Sequence, residues 1–184
     1  MAYTSGGSEL LDPIAIFKRL GISKGAIVAD LGCGGVGHFI IPAANLVGDQ
    51  TTAYAVDILK TVLRSVITKA RLEGVNNVKP VWSNLEMVGA TKIPEASLDF
   101  AFLKNVLFQS KNHEPMVTEA IRLLKPKGKL LVIDWGDAMT SFGPPPADRV
   151  KPGTVKTLAQ KLKLKLLDEF EAGSYHYGLI FQKS

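Results

Sequence analysis

Short apolar runs of strand length alternate along the chain with segments whose apolar residues recur at helical spacing. The runs predict seven strands, over residues 26–31, 52–57, 78–82, 98–103, 129–134, 163–170 and 176–182. The periodic segments predict five helices, over residues 13–20, from the glycine-rich turn to about 47, and over 59–73, 112–124 and 154–162. This alternation is typical of an α/β fold, in which helices cover both faces of a mostly parallel sheet.

The 184 residues suit one well-packed domain, and no linker divides them. Residues 1–8 are polar and rich in glycine and serine, which indicates a loose tail, and an N-terminal helical segment is expected over 9–24. The last two strands are joined by too few residues for a crossover helix. They are therefore predicted to form an antiparallel hairpin.

The longest irregular segment is residues 136–151, which contains three consecutive prolines at 144–146. A structureless segment of this length in a compact domain is more often functional than decorative. Because it follows the fifth strand, we expect it to lie over the carboxyl edge of the sheet, the edge at which the parallel strands end. Ligands of open α/β sheets bind at that edge.

Cysteine usage and charge narrow the class of protein. The single cysteine, Cys33, excludes an intramolecular disulfide and a cysteine-based metal cluster, and it fits a cytoplasmic location. No secretory signal opens the chain, and no apolar stretch approaches the ~20 residues that span a bilayer. The net charge is a mild +5, and five lysines fall between 151 and 165 without an acid. We interpret them as a solvated face, with a nucleic-acid footprint as the alternative.

The strongest chemical signal is the segment Val28-Ala-Asp-Leu-Gly-Cys-Gly-Gly-Val-Gly37. Glycines after a strand allow the backbone to turn tightly and approach a ligand, and the next helix favours polar or anionic groups at its amino end. With Asp57 about twenty residues on, the segment also fits a dinucleotide fingerprint. The flanking residues must decide between a nicotinamide and a sulfonium cofactor.

Four features favour S-adenosylmethionine. A buried carboxylate at Asp30 would repel a pyrophosphate but suits an ammonium and a sulfonium. Asp57 ends the second strand, where it can accept hydrogen bonds from ribose hydroxyls. Asn84 follows the third strand, where its carbonyl can accept from an adenine amino group. Finally, the sequence has neither a Tyr-x-x-x-Lys pair nor the residues for a separate substrate domain.

Four segments resemble successive motifs of the class I S-adenosylmethionine-dependent methyltransferases: Ala29-Asp-Leu-Gly-Cys-Gly, Tyr54-Ala-Val-Asp-Ile58, Asn105-Val-Leu-Phe108 and Leu123-Leu-Lys-Pro-Lys-Gly-Lys-Leu130. The likeness covers about residues 11–182 and is nearest to the ubiquinone/menaquinone-biosynthesis branch. It implies a Rossmann-like seven-stranded sheet in the order 3-2-1-4-5-7-6, with an antiparallel seventh strand. It also implies a set of cofactor-binding residues: Asp30, Gly32, Cys33, Gly34, Asp57, Ile58, Asn84, Leu85 and Asn105.

The chain departs from the family pattern at two places. The family usually reads Gly-x-Gly-x-Gly, whereas Gly37 comes one residue late. The family pattern therefore does not specify the backbone geometry of the turn over residues 35–37. At the position that faces the adenine, Asn84 stands where aspartate is common. Cys33 is interpreted as a small loop residue, since direct methyl transfer needs no nucleophilic thiol.

Methyl transfer is an in-line displacement at an activated carbon, so alignment of the reactants can supply most of the catalysis. We expect Asn105 at the methyl end of the cofactor, because it follows the fourth strand beside the first. His176 begins the seventh strand at the carboxyl edge, and we interpret it as a candidate proton acceptor. Strand alternation sends His176 to the opposite face from Tyr175 and Tyr177.

The acceptor is expected to be a small organic molecule. No Asn/Asp-Pro-Pro-aromatic motif follows the fourth strand, the several cysteines of arsenic chemistry are missing, and no metal-ligand spacing is evident. Two alternatives stay open: an RNA or protein substrate that binds the lysine-rich segment, and a catalytically silent cofactor-binding partner. The sequence gives neither the oligomeric state nor the acceptor atom.

Overall fold

The computed structural model describes residues 10–138, 140 and 143–184 and shows the expected alternation of strand and helix. Within these ranges the strands are β1 (Val28–Leu31), β2 (Ala53–Asp57), β3 (Val78–Trp82), β4 (Leu98–Lys104), β5 (Leu124–Trp135), β6 (Lys165–Glu171) and β7 (His176–Gln182). The helices are α1 (Pro13–Leu20), α2 (Ile40–Val47), α3 (Lys60–Leu72), α4 (His113–Leu123) and α5 (Pro152–Lys161). Short 3₁₀ turns occupy Leu107–Gln109 and Pro146–Asp148. The tail predicted over residues 1–8 lies outside the described ranges.

The strands form one sheet in the order β3-β2-β1-β4-β5-β7-β6, which confirms the implied topology. Strands β1 to β5 pair in parallel, and β7 is antiparallel to both of its neighbours. Strand β6 therefore runs with the first five, and all six end at the carboxyl edge. The start of β7 lies at that edge too, because His176 pairs with Trp135 at the end of β5.

Side chains of the central strands point alternately to the two faces of the sheet, and the apolar ones build a core on both faces. The first face packs against α1, α2 and α3, where the rings of Phe17 and Phe102 stack with centroids 5.4 Å apart. The second face packs against α4 and α5. Both faces of the central strands are buried, which explains their continuous apolar runs.

Helix α2 begins later than the sequence suggested. It starts at Ile40 rather than directly after the glycines, because Gly34 and Gly37 adopt positive φ angles that no right-handed helix accommodates. His38 therefore precedes the helix, and its Nε2 atom lies 2.9 Å from the carbonyl oxygen of Leu11. Pro42 lies in the first turn of α2. Backbone amides there have no acceptor within the helix, so the missing N–H of proline costs no helical hydrogen bond.

The connection between α4 and β5 also differs from expectation. Residues 125–128, which lie between the predicted helix over 112–124 and the predicted strand over 129–134, belong to β5. The first residue of β5, Leu124, pairs with Leu98. A bulge in the pairing and a positive φ of 65° at Lys127 absorb the irregularity. Asn112 occupies the position before α4, but its side chain makes no capping hydrogen bond.

Candidate functional site

A cavity of about 440 Å³ lies at the carboxyl edge over the ends of β1, β2 and β3. Six of the predicted cofactor-binding residues line it: Gly32, Gly34, Asp57, Ile58, Asn84 and Leu85. They come from the segments that follow three neighbouring parallel strands. Sheet topology alone therefore brings these distant parts of the sequence together.

Asp57 is held rigidly in the wall of this cavity. Its Oδ2 accepts a hydrogen bond from the backbone amide of Gly34 at 3.2 Å, and its Oδ1 accepts one from Leu59 at 2.9 Å. The amides of Gly32 and Cys33 donate to the carbonyl of Val56, so the glycine loop is bound to the end of β2. A carboxylate with two fixed backbone donors keeps lone pairs for ligand hydroxyls in a preset orientation.

The glycines of the loop divide into two roles. Gly34 and Gly35 line the cavity, and a Cβ atom at either would meet nothing within 4 Å. Gly37 instead packs beneath α2, where a Cβ would lie 2.9 Å from Cδ1 of Ile41. Gly37 has a φ angle of +65°, and it permits close packing of helix on loop. The late third glycine therefore serves the fold and not the cavity.

The segment after β3 forms the wall opposite the glycine loop. The side-chain oxygen of Asn84 accepts from the amide of Glu86 at 2.9 Å, which fixes the side chain and leaves the oxygen a second lone pair. Leu85 is largely buried beside it. At the end of β3, Nε1 of Trp82 donates to the carbonyl of Ile58 at 2.8 Å. These two hydrogen bonds hold Asn84 and Ile58 in place, and both residues line the cavity.

Glu119 of α4 anchors the β3–β4 segment and was missed by the sequence reasoning. Its buried carboxylate accepts hydrogen bonds from the amides of Gly89 and Thr91 at 2.7 and 3.0 Å, and from Arg122 at 2.8 Å. Burial alone raises the pKa of Glu119, but these bonds outweigh it and lower the pKa to about 2. The sequence pattern that could have identified Glu119 is an acidic residue at a buried position of an otherwise apolar helix face.

Asp30, Cys33 and Asn105 lie behind the cavity rather than in its lining. Asp30 is fully buried, and neither of its oxygens has a hydrogen-bond partner among the described residues. Burial raises its pKa to about 6, against the opposing charge of Lys104. Cys33 is buried in the loop, and this burial raises the pKa of its thiol, which fits a packing residue.

Asn105 directly follows β4 in the left-handed conformation, with φ at +52°. Its amide donates to the carbonyl of Ile133 at 2.8 Å, and its own carbonyl accepts from Gln109 at 2.8 Å. Its Oδ1 is buried and has no partner within the described part of the chain. Asn105 is therefore a fixed polar group next to Val106, which lines the cavity.

His176 is 4% exposed and lies against Trp135, with ring centroids 4.4 Å apart. Burial, together with the charges of Lys104 and Arg149, lowers the pKa of His176 to about 4. The ring is therefore neutral at physiological pH and only weakly basic. Tyr177 points to the other face, where its hydroxyl donates to the carbonyl of Val150 at 2.8 Å.

Arg149 organises the described part of the 136–151 segment. Its guanidinium donates to the carbonyls of Pro144, Gly136 and Ala138 and lies over the ring of Trp135 at 5.8 Å. Residues 139, 141 and 142 of this segment lie outside the described ranges. A second cavity of about 810 Å³ extends between residues 108–113 and 147–154, and shares Leu59, Gln109 and Ser110 with the first.

The lysine-rich segment is partly neutralised on the surface. Lys156 pairs with Glu169 at 2.9 Å and Lys161 pairs with Glu114 at 2.7 Å. No group of metal-ligating side chains occurs among the described residues. None of the helices described is long and apolar enough to cross a membrane.

Comparison with known proteins agrees with this geometry. Residues 22–171 match the family model described as a methyltransferase domain. The chain is 33% identical over 126 residues to the ubiquinone/menaquinone biosynthesis C-methyltransferase of Yersinia enterocolitica, an alignment that covers 65% of this chain and 49% of the relative. The chain thus spans about half the length of the curated relatives it matches.

Solved structures share the fold. A SAM-dependent methyltransferase from Aquifex aeolicus superimposes with a TM-score of 0.87 at 23% identity, covering 98% of this chain and 94% of the other. Magnesium protoporphyrin IX methyltransferase from Synechocystis, solved with bound SAH, gives a TM-score of 0.75 at 18% identity over 97% and 84% of the two chains. Since the family model covers most of the chain and the sheet has the matching topology, the chain belongs to the class I S-adenosylmethionine-dependent methyltransferase family.

Proposed function

We propose that this chain transfers the methyl group of S-adenosylmethionine to a small organic acceptor by direct in-line displacement. The observation that carries the proposal is the single cavity that joins the glycine loop, Asp57 and the Asn84–Leu85 segment. Asp57 is oriented there by two backbone donors before any ligand arrives. Such preorganisation is what a cofactor site needs, because alignment supplies much of the rate of methyl transfer.

The residues present fit the cofactor. Asp57 would accept the ribose hydroxyls, and Asn84 and Leu85 would hold the adenine. The glycine loop leaves room for the methionine backbone, and the unpartnered carboxylate of Asp30 suits its ammonium. The bound cofactor supplies a methyl group activated by a sulfonium leaving group. Asn105 would lie at the methyl end, because it follows β4 beside β1.

A small acceptor is supported by two observations. The curated relative is named for a biosynthetic C-methyltransferase of ubiquinone and menaquinone, which are small molecules. In addition, the ion pairs of Lys156 and Lys161 neutralise part of the positive charge that binding of an RNA substrate would need. An RNA or protein substrate and a catalytically silent partner protein are the competing proposals.

A radiolabelled transfer assay tests the proposal. Purified protein with methyl-labelled S-adenosylmethionine is incubated with a panel of small organic molecules and, separately, with RNA and protein fractions. We expect label in a low-molecular-weight product and none in the macromolecular fractions. In Asp57→Ala, the control, labelling should fall when the cofactor concentration is kept below the dissociation constant of the variant. Label in RNA that disappears at high salt would favour the alternative substrate. Cofactor binding without transfer to any fraction would favour the silent partner.

A further inference from the structure

The second cavity, of about 810 Å³, adjoins the cofactor cavity close to Asn105. Leu59, Gln109 and Ser110 line both cavities, so the two meet along these residues. The side-chain amide of Gln109 donates to the carbonyl of Asn105 at 2.8 Å. The proposed function expects Asn105 at the methyl end of the cofactor. A molecule in the second cavity would therefore lie next to that end.

Apolar side chains form part of the wall of the second cavity. Val150 is buried, Phe108 is half-buried and Leu59 is exposed. The carbonyl of Val150 accepts from the hydroxyl of Tyr177 at 2.8 Å, which holds this part of the wall against the sheet. The volume of the cavity and its mixed apolar and polar lining are typical of a site for a small organic molecule with an apolar part.

The charged side chains of the second cavity are mostly cations. Lys111, Arg149 and Lys151 line it, together with Asp148 and His113. The cations outnumber the carboxylate, so this lining carries a net positive charge at neutral pH in either protonation state of His113. A concave surface lined by one sign of charge attracts ligands of the opposite sign. The cavity therefore favours an anionic ligand.

Arg149 is held in place by the backbone of the segment before it. Its Nε donates to the carbonyl of Pro144 at 3.1 Å, and its Nη1 donates to those of Gly136 and Ala138 at 2.7 and 2.8 Å. Within the described ranges, the N–H groups of Nη2 make no hydrogen bond. Arg149 thus offers two donors on a half-buried cation whose position is already set. Recognition of a carboxylate or a phosphate uses such donors.

Lys111 and Lys151 add charge that the protein itself does not neutralise. Neither lysine forms an ion pair with a residue that the structure describes. Glu114, at the start of α4, pairs instead with Lys161 at 2.7 Å. The charges of Lys111 and Lys151 are therefore left to solvent or to a ligand in the cavity that both residues line.

We propose that the second cavity binds the methyl acceptor and that Arg149, assisted by Lys111 and Lys151, holds an anionic group of that acceptor. The acceptors are then organic acids with an apolar part, either carboxylates or phosphate esters. The apolar part lies against Phe108 and Val150, and charge-assisted hydrogen bonds hold the acid group. This inference rests on the proposed function, because the cofactor in the adjoining cavity supplies the methyl group.

Benzoate and phenyl phosphate are probes for the two kinds of anionic group, and benzamide is the uncharged counterpart of benzoate. His113 lines the cavity and is one of three histidines, so its imidazole signals are simple to assign by substitution. Each probe is titrated into the labelled full-length protein with S-adenosylhomocysteine present, at constant pH and ionic strength. We expect the His113 signals to shift saturably with at least one anion and to stay in place with benzamide. A shift with benzoate alone indicates carboxylate acceptors, and a shift with phenyl phosphate alone indicates phosphate esters.

A double variant that combines Lys111→Met with Lys151→Met tests the charge of the cavity. Its matched control combines Lys163→Met with Lys165→Met, which removes two lysines at and just before the start of β6, at the opposite edge of the sheet. The first variant should raise the dissociation constant of the anion about fivefold or more at low salt, and the control should leave it unchanged. Arg149→Met should raise it about tenfold or more, because charge-assisted hydrogen bonds are lost.

Three results would overturn the proposal: equal responses to benzoate and benzamide, no response to either anion, or unchanged anion affinity in the Lys111→Met, Lys151→Met variant. Arg149 also holds the backbone at residues 136, 138 and 144. If Arg149→Met disturbs that segment in the backbone amide spectrum, the lysine variant decides.

Calorimetric titration of the same samples with S-adenosylhomocysteine distinguishes failure of this inference from failure of the proposed function. Cofactor binding without a response to either anion contradicts the acid specificity and leaves the proposed function intact. A response to the anions in protein that does not bind the cofactor supports an anion site and contradicts the proposed function.

Discussion

The backbone amide of Gly34 donates to Oδ2 of Asp57 across 3.2 Å and thereby ties the loop after β1 to the end of β2. The second oxygen of Asp57 accepts from Leu59 at the start of α3. One carboxylate thus joins two walls of the cofactor cavity while it faces that cavity. Cofactor affinity and loop position should therefore depend on the same side chain.

Replacing Asp57 with alanine is expected to weaken S-adenosylhomocysteine binding about tenfold or more, since hydrogen bonds to a charged group are worth about 1.5–3 kcal/mol each. The fold should persist, because the apolar core of β2 is untouched. Isothermal calorimetry and far-ultraviolet circular dichroism measure the two effects. Asp49→Ala, in the exposed turn before β2, is the control. An unchanged dissociation constant in Asp57→Ala would remove Asp57 from the site.

Asn105 is expected to affect turnover more than cofactor affinity. Its left-handed φ of +52° allows the side chain to be removed in two ways. Asn105→Gly deletes the side chain without backbone strain, whereas Asn105→Ala adds a strain of about 1–2 kcal/mol. Both variants should lose turnover on an acceptor identified in the transfer screen, and only the alanine variant should also lose thermal stability. Full turnover in Asn105→Gly would show that the side chain takes no part in transfer.

Glu119 should stabilise the protein and support the cofactor site from a distance. Glu119→Ala leaves Arg122 and the amides of Gly89 and Thr91 without their shared acceptor, at an expected cost of about 3–5 kcal/mol. Urea denaturation measures this, with the exposed Glu73→Ala as control. Because the folded-state pKa of about 2 lies below the ordinary 4.5, the stability from Glu119 is complete above pH 4.5. Wild-type protein should lose this stabilisation as the pH falls towards 2. An alanine variant as stable as wild type would show that Glu119 does not stabilise the fold.

His176 should remain neutral well below the usual range of a histidine. Its folded-state pKa of about 4 lies below the ordinary 6.5, so from pH 6.5 to 4 the unfolded chain binds a proton that the folded chain excludes. The free energy of unfolding should therefore fall as the pH is lowered through that window. His176→Gln should flatten this dependence. Imidazole resonances report the midpoint directly, and a His176 midpoint near 6.5 would refute the buried, cation-facing position.

Much of the fold could be predicted from local patterns. Strands β3 and β7 lie at the predicted bounds because apolar or aromatic runs there are flanked by turn-forming residues. The late start of α2 was harder to predict from the sequence, because it depends on which glycines adopt positive φ angles. The continuation of β5 through residues 125–128 depends on pairing of Leu124 with Leu98, a contact that no local pattern contains.

The candidate site likewise has features that the sequence could predict and features that it could not. Gly32, Asp57 and Asn84 follow consecutive strands, so parallel topology was enough to bring them to one cavity. The anchoring role of Glu119 depends on contacts 28 and 30 residues away in sequence. The burial of Lys104 and His176 on one face of the sheet depends on the register of β4, β5 and β7, which the sequence did not specify.

The most direct test of the account is a calorimetric comparison of S-adenosylhomocysteine and NAD on the same protein sample. Both cofactors would use the glycine loop and Asp57, but a pyrophosphate would lie close to the negative charge of Asp30, which is buried behind the cavity. We predict binding of S-adenosylhomocysteine in the micromolar range, with a binding free energy of about −8 kcal/mol, and no detectable heat with NAD. Tighter binding of NAD than of S-adenosylhomocysteine would contradict the assignment of this cavity to the sulfonium cofactor.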